Sequence, residues 1–308
     1  MPQLPPPVKR RAENPVIRLQ KVLSWVFLAL WDRPALRGFA RRVLRVRCWL
    51  DMVLYMRRAP GPADGLFNDF LYTLKVGPEL ELPLRQQITD KVLSKAYITS
   101  ILGPGTTVPT LAVFDTASAI ADWRPPDWPV AVKPTHSSGR FLRIGSEAEW
   151  LAALPEMSGW LTHDYFRESL ERNYAGLAKR VIVEPWLDEA MRLEGSVHCR
   201  NGVPKVVSII ERYTKDRQSF DTERRPLGVS LAFPTTDFQL PDWSFLAPLL
   251  AAAAKLSQEL SYVRVDFYTD GRRLMFGELT NLPAGGMGRF HPADGEAVFS
   301  RVFFAPPP

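Results

Sequence analysis

Three residues near the C-terminal end of the chain carry the strongest chemical signal. Arg264-Val265-Asp266 lies within an apolar run from Tyr262 to Tyr268, and a second run from Leu274 to Leu279 contains Glu278. Asp270-Gly271 between them is a turn signal, so the two runs predict an antiparallel hairpin. Pairing about that turn sets the Asp266 and Glu278 carboxylates near each other, where they repel unless a cation lies between them. Mg²⁺ suits the position, because it is bound by a few carboxylates together with the phosphate oxygens of a substrate. Arg264 precedes Asp266 by two residues and shares its strand face. A metal pair beside an arginine is the apparatus for phosphoryl transfer or for stabilising an oxyanion. A buried salt-bridge cluster would leave the same pattern.

The elements needed to position these residues are readable upstream. Val130-Ala131-Val132-Lys133 reads as a short buried strand. It is followed by the small-residue loop Pro134 to Arg140 and a second apolar run, Phe141 to Ile144. Such a loop offers backbone N–H groups and the hydroxyls of Ser137 and Ser138 without bulk, and can lie over phosphates. It is equally the loop of a plain hairpin. Val181 to Leu187 reads as a strand ending in Glu184, Pro185 and Trp186. Ser196 to Ile210 reads as two strands joined at Asn201-Gly202. Leu84 to Leu102 is expected to be one long helix, Thr106 to Phe114 a strand broken by Pro109, Glu147 to Ala153 helical, and Leu246 to Leu260 an Ala-rich helix. His198 shares a strand face with Ser196 and Arg200 and is a candidate for lining a substrate cleft. His136 is a candidate phosphate donor or an exposed turn residue. The Pro283-to-Gly288 turn follows the carboxylate strand, so N–H groups at Gly285 and Gly286 are candidates to receive a substrate carboxylate or phosphate.

Composition narrows the function classes. The 308 residues are 46% hydrophobic and 23% charged, which suits one large domain or a few packed subdomains and excludes wholesale disorder. Two cysteines, Cys48 and Cys199, and four histidines show no disulfide framework and no zinc spacing. The net charge of +6 is uneven: residues 1–60 hold thirteen basic and three acidic side chains, a balance of +10, leaving −4 for the remainder. The arm opens on Pro2, Pro5, Pro6 and Pro7. Its apolar run Val22 to Trp31 is only ten residues long, where a spanning helix needs about 20. It has no small-residue cleavage site, so a signal peptide is not expected. From Ala35 to Arg58 the pattern is helical, with Phe39, Val43, Val46, Leu50 and Val53 expected on the packed side and Arg37, Arg41 and Arg45 along another. A solvated basic face on a helical hairpin is one reading of residues 16–58. A docking surface for anionic lipid or a polyanionic glycan is the other. No base-stacking pattern accompanies the charge, so nucleic acid is not expected as a partner.

Taken together the residues resemble the ATP-grasp superfamily: Lys91 at a helix start, Lys133 before Pro134, the small-residue loop, the Glu184 strand end, Arg264-Val265-Asp266 and Glu278 occur in its order. Phe67-Asn68-Asp69-Phe70, Val263 to Tyr268 and Gly277-Glu278-Leu279-Thr280 resemble more narrowly its TupA-like branch, associated with teichuronopeptide and other cell-surface polysaccharide biosynthesis. The resemblance covers about residues 65–292 and implies an α+β fold, in which two subdomains clamp ATP behind the basic helical arm. It implies an arm over 1–60, a reduced α/β lobe over 61–125, and the small and large subdomains over 126–187 and 188–308. Lys91 and Lys133 would contact the ATP phosphates, with Ser137, Ser138 and Gly139 closing over them. Glu184 with the Trp186 and Leu187 backbone would hold adenine, and Glu194 the ribose. Asp266 and Glu278 would hold Mg²⁺. Thr280 stands where the superfamily has asparagine, leaving Thr280 or Asn281 as the further ligand. Arg264 would stabilise an acyl phosphate and the oxyanion formed on amine attack. Arg212 and Arg217 belong to the stretch that meets γ-phosphate or substrate. The activity implied is an ADP-forming carboxylate–amine ligase using small-molecule substrates or a lipid-linked glycan. A hydroxyl kinase and a non-catalytic nucleotide-binding module are the alternatives. The expected location is cytoplasmic, on the inner face of the membrane.

Overall fold

The computed structural model describes residues 15–187, 191–238, 240 and 242–306. The proline-rich opening, with Lys9, Arg10 and Arg11, lies outside the described residues. The chain divides into two compact units, at Ala59/Pro60.

In the first unit α1 (Pro15–Trp31) and α2 (Arg37–Asp51) form a hairpin, and α2 runs on as a π-turn over Met52–Met56. The seam between the helices holds Phe27 and Trp31 against Ala40, Leu44, Cys48 and Met52. A polar pair closes it, Gln20 Nε2 donating to Asp51 Oδ1 at 2.8 Å, and Arg47 pairs with the same carboxylate. The packed side of α2 is therefore not the expected one. Phe39 and Val46 are exposed, because α2 carries two apolar stripes and α1 takes the one whose Ala40 and Cys48 are small enough for close approach.

The second unit contains, in chain order, α3 (Phe67–Val76), α4 (Pro83–Thr89), α5 (Lys91–Leu102), β1 (Ala112–Phe114), α6 (Ala117–Asp122), β2 (Val130–Pro134) and β3 (Leu142–Ile144). There follow α7 (Glu147–Trp160), α8 (Tyr165–Ser169), β4 (Val181–Pro185), β5 (Leu193–Arg200), β6 (Val203–Glu211), β7 (Arg217–Asp221) and β8 (Ser230–Leu231). Last come α9 (Leu246–Ser257), β9 (Tyr262–Thr269), β10 (Leu274–Thr280), β11 (Phe290–His291) and α10 (Gly295–Phe304). The helix expected over Leu84 to Leu102 is two helices. Asp90 breaks it with extended backbone and caps the second, its Oδ1 accepting the N–H groups of Val92 and Leu93. Of the strand expected over Thr106 to Phe114, only Ala112–Phe114 forms.

Two antiparallel sheets organise this unit, in the orders β1-β4-β2-β3 and β10-β9-β5-β6-β7. In the first, Val130, Val132, Val181 and Val183 pack on Trp150, Met157 and Trp160. Period-two alternation then turns Ala131, Lys133, Ile182 and Glu184 to the opposite face. In the second sheet, Val197, Val207, Ile209, Val263, Val265, Phe267 and Leu279 pack on Ile98, Leu249, Ala253 and Leu256. Its other face is polar: Glu194 and Ser196 on β5, Arg264 and Asp266 on β9, and Glu278 and Thr280 on β10. A third cluster, centred on Phe67, Tyr262, Phe299 and Phe303, covers one end of that polar face.

One irregularity makes the polar face possible. Phe276 pairs with Phe267 on the core side, yet the next paired residue on β10 is Glu278, opposite Asp266. Gly277 is the extra residue of a β-bulge; were it to take a regular place in the ladder opposite Asp266, Glu278 would face Val265 and point into the core. A side chain at Gly277 would meet the Tyr268 ring at 3.0 Å. Deleting Gly277 removes the extra residue and leaves Glu278 opposite Asp266 in a regular ladder, so it should lower the unfolding free energy by no more than about 1–2 kcal/mol. Gly277→Ala, which sets a methyl group against the Tyr268 ring, should cost about 1 kcal/mol. Urea midpoints measure both, and a deletion variant that no longer folds would contradict the register argument.

Candidate functional site

Lys133 and Glu184 lie on the cleft-facing side of the four-stranded sheet, where β2 and β4 pair Ala131 with Glu184. Lys133 Nζ donates to Glu184 Oε2 at 2.7 Å, while Lys95 Nζ takes the other oxygen. Burial works against the Glu184 anion, but the two ammonium groups outweigh it and its pKa is lowered. Burial likewise opposes the Lys133 cation, yet Glu184, Tyr268 and Glu278 raise its pKa. Lys95 went unnoticed in the sequence. Its only signal is that it lies one helical turn beyond Lys91 and so shares a face of α5 with it.

Lys91 opens α5 and reaches the base of the small-residue loop, its Nζ donating to Ser137 O at 2.6 Å. Burial lowers its pKa, and Glu278 is the first of the charges opposing that. Lys91 thus lies toward the carboxylate pair and Lys95 toward Glu184. The loop is staked at its entry. Thr135 O accepts the Lys91 N–H, Thr135 N–H donates to Arg180 O, and the Arg180 guanidinium bonds both oxygens of Asp90 at 3.0 Å. Ser138 and Gly139 at the tip are exposed, and Gly139 has φ of 72°. Ser137 is buried, and its hydroxyl has no partner among the described residues. A buried orphan hydroxyl beside a lysine is a vacancy for an acceptor such as a phosphate oxygen. His136 is buried rather than exposed, with Nε2 3.2 Å from His163 O.

A cavity of about 440 Å³ opens between the two sheets, lined by Ala131, Lys133, Glu184, Trp186, Leu187, Glu194, Arg212 and Tyr268. Arg212 is placed here rather than at a separate substrate subsite. Its guanidinium lies over the Trp186 ring at 5.4 Å and the Tyr268 ring at 5.6 Å, and donates to Met191 O. A flat ligand with a phosphate tail matches this cavity, which offers aromatic and aliphatic walls at one end and lysines at the other.

The five-stranded sheet carries the charged centre. Register sets Glu194, Ser196 and His198 of β5 against Tyr268, Asp266 and Arg264 of β9. Arg264 grips Asp266 with both ends of its fork, Nε to Oδ1 and Nη2 to Oδ2, each at 2.6 Å. Burial opposes the arginine cation, but Asp266 more than restores it and its pKa is raised. Thr280 Oγ1 lies 3.1 Å from Asp266 Oδ2 and 3.2 Å from Glu278 Oε1. One hydroxyl proton serves only one of those carboxylates at a time. The other is left facing a lone pair, which fits a cation between them. Among the described residues no group of three or more His, Cys, Asp or Glu is arranged to hold a metal. Asp266 and Glu278 therefore suit Mg²⁺ bound jointly with phosphate oxygens rather than a cage of protein ligands. Burial raises the Asp266 pKa against the pull of Arg264. Burial also acts on Glu278, but Lys91 and Arg264 outweigh it and lower its pKa.

Asn281 is not part of this centre. Its side chain points to the opposite side of β10, with Nδ2 donating to Arg85 O and Thr89 Oγ1 and Oδ1 accepting from Arg85 Nη1 at 2.9 Å. Strand parity separates it from Glu278 and Thr280, so only Thr280 adjoins the carboxylates. His198 is buried under Phe67 and Phe299, with Nδ1 2.9 Å from the Tyr262 hydroxyl. Burial, helped by Arg264, pushes its pKa well down, so it is neutral.

Beyond Arg264 the polar face continues into two smaller clefts. One, of about 270 Å³, is lined by Glu194, Ser196, Arg264 and Asp266. The other, of about 230 Å³, is lined by Ser196, His198, Ser208, Arg217, Gln218, Ser230 and Arg264 together with Ile209, Ile210, Leu231, Phe233 and Ala284. The Gly285 N–H is already used, donating to Leu282 O within its turn, and is not available to a substrate. Lys75 Nζ anchors that turn through Gly285 O at 2.9 Å. The Glu171 carboxylate lies on the same glycine, its pKa raised by burial against the pull of Lys75. Lys75 and Glu171 also went unnoticed in the sequence, Lys75 just beyond the Phe67–Phe70 motif on α3 and Glu171 in no motif.

Asn281→Ala should destabilise the chain by about 2–3 kcal/mol, because it strips an acceptor from the fully buried Arg85, and should leave the Mg²⁺ dependence of nucleotide binding unchanged. Thr280→Ala should do the reverse, shifting the Mg²⁺ requirement with little loss of stability. Denaturation curves and Mg²⁺ titrations of both variants separate the roles. The lowered Glu184 pKa contributes stability that is present above the ordinary glutamate value and is lost as pH falls through the lowered one. Lys95→Met should raise the folded-state Glu184 pKa, so that the acid loss is smaller and complete at a higher pH, which unfolding measured across a pH series detects.

A search of curated proteins returns no match for the chain. Among solved structures it is similar to the D-alanine–D-alanine ligase from Helicobacter pylori, at 17% identity over 70% of this chain and 61% of that one, with a TM-score of 0.43. The D-cycloserine synthetase DcsG is 18% identical over 77% of each chain, with a TM-score of 0.42. The Bacillus anthracis D-alanine–D-alanine ligase complexed with ATP is 15% identical over 63% of this chain and 56% of that one, with a TM-score of 0.38. The chain spans about three fifths of the length of the Helicobacter ligase. Residues 74–301 match the model of the TupA-like ATP-grasp family, and the chain belongs to that family.

Proposed function

We propose that the chain is an ATP- and Mg²⁺-dependent carboxylate–amine ligase that forms ADP. It would join an amino acid or another amine to a uronic acid carboxylate in cell-surface polysaccharide biosynthesis. ATP-grasp enzymes use ATP and Mg²⁺. The observation that carries the reading is the position of Arg264, a wall shared by a cleft toward the nucleotide cavity and a second cleft of different chemistry. The second cleft sets the hydroxyls of Ser196, Ser208 and Ser230 and two arginines among the apolar walls of Ile209, Ile210, Leu231 and Phe233, a mixture that suits a polyhydroxylated ring bearing a carboxylate. A hydrolase of ATP alone has no use for it.

In this reading adenine lies against Glu184, Trp186 and Leu187, with Glu194 toward the ribose. Lys133, Lys91 and the Ser137 hydroxyl hold the phosphates. Asp266 and Glu278 would hold Mg²⁺, which would supply charge neutralisation for the phosphates. Arg264 orients the acceptor carboxylate, one oxygen of which attacks the γ-phosphorus as the bond to ADP breaks. The amine nitrogen then attacks the acyl carbon, the arginine steadies the oxyanion, inorganic phosphate leaves and the nitrogen loses a proton. The net change is an amide formed with loss of water, ATP being converted to ADP and phosphate. A cytoplasmic location would supply the ATP that this reading requires.

Purified protein incubated with ATP, Mg²⁺, uronic acids and amino acids should release ADP only when both co-substrates are present. The product mass should equal their sum less one water. Arg264→Lys, which keeps the charge but loses the fork, should lower kcat by about 100-fold or more. A product gaining phosphate would make the chain a hydroxyl kinase, AMP release would remove the acyl phosphate, and full cellular function in Lys133→Ala would point to a non-catalytic module.

A further inference from the structure

We infer that the second apolar stripe of α2 is a docking surface for an anionic lipid bilayer. The first stripe, Ala40, Leu44 and Cys48, is consumed by α1. The second, Phe39, Val43, Val46, Trp49 and Leu50, recurs at helical spacing well over a right angle away around the axis. Phe39 is 56% exposed, Val46 52% and Trp49 42%. Arg42 and Arg45 are exposed beside it. The outward side of α1 repeats the composition, with Trp25 70% and Val22 55% exposed among Arg18 and Lys21. No described helix is long and apolar enough to cross a membrane.

The occupant follows from two demands on one surface. Exposed aromatic and branched side chains at this density call for an apolar phase, and aromatic rings flanked by arginines sit at the level of lipid headgroups. The charge calls for an anion, since residues 1–60 carry a balance of +10. A soluble glycan meets the second demand but offers nothing apolar to cover Phe39. A second copy of the chain meets the first, but would bring like charges together. An anionic bilayer meets both. The inference does not depend on the ligase reading, because no nucleotide-site residue lies in this hairpin.

Vesicle sedimentation of the full chain tests it, with phosphatidylcholine alone and with equal parts phosphatidylcholine and phosphatidylglycerol. The chain should pellet with the anionic vesicles only, less so at higher salt, with a blue shift in tryptophan emission. Phe39→Ser/Val46→Ser/Trp49→Ser and, separately, Arg42→Gln/Arg45→Gln should each weaken partition by about tenfold or more. Nucleotide binding and far-UV circular dichroism of the variants should match the unaltered chain. Equal binding to both vesicle types, or undiminished binding by the serine variant, overturns the inference. So does a monomer–dimer equilibrium abolished by the serine changes without vesicle binding, or tighter capture by a soluble polyuronate that the serine variant retains.

Discussion

Setting Asp266 opposite Glu278 on adjacent strands costs free energy, and much of the second unit is arranged around that cost. Arg264 occupies both oxygens of Asp266 from two residues away on its own strand. Lys91 approaches Glu278 from the start of a helix in a different part of the chain, and Thr280 lies between the two carboxylates with one proton to give. These partners restrain the repulsion without abolishing it, since Arg264 is bound to one member of the pair and Lys91 acts on the other at longer range. A residual need for positive charge persists at one point of the sheet. That need gives the polar face its direction, with lysines toward one sheet and arginines toward the hydroxyl-lined cleft.

The same point explains why two sheets are needed. Glu184 is held between Lys133 of the four-stranded sheet and Lys95 of α5, so two cations and one anion meet there. The polar face of the five-stranded sheet brings Glu194, Asp266 and Glu278 against Arg264. Lys133 and Glu184 face Glu194 and Arg212 across the cavity of about 440 Å³, and the carboxylate pair lies on the same polar face as Glu194. A polyphosphate with its counter-ion complements both halves, whereas neither half alone offers a complete set of partners.

Much of this was legible in the sequence because strands alternate strictly. Arg264 and Asp266, Lys133 and Ala131, Glu194 and Ser196 each keep the parity that an apolar core on the other side requires. Parity also misleads where it is broken, as at Gly277. A plain hairpin would bring Asp266 and Glu278 close, but on opposite sides of the sheet, and no local signal marks the bulge. Asn281 seemed available because it neighbours Thr280, yet Arg85, almost two hundred residues away, claims its amide. Lys75, Glu171 and the aromatic cluster of Phe299 and Phe303 are long-range outcomes of the same kind. In the first unit the sequence contains two apolar stripes on α2, and periodicity cannot say which of them a partner helix will cover.

The stakes on the small-residue loop have a mechanical meaning. Thr135 is tied to the start of α5 and to the residue before β4, and Asp90 with Arg180 locks those two anchors to each other. Buried His136 and Ser137 extend the fixed base. The remaining tip is only Ser138, Gly139 and Arg140, roughly 10 Å of chain at full extension, and the Arg140 guanidinium is itself paired with Glu168 at 2.9 Å. A tip so short and so tethered cannot sweep a ligand in from solvent. Whatever comes to lie beneath it must enter through the open cavity.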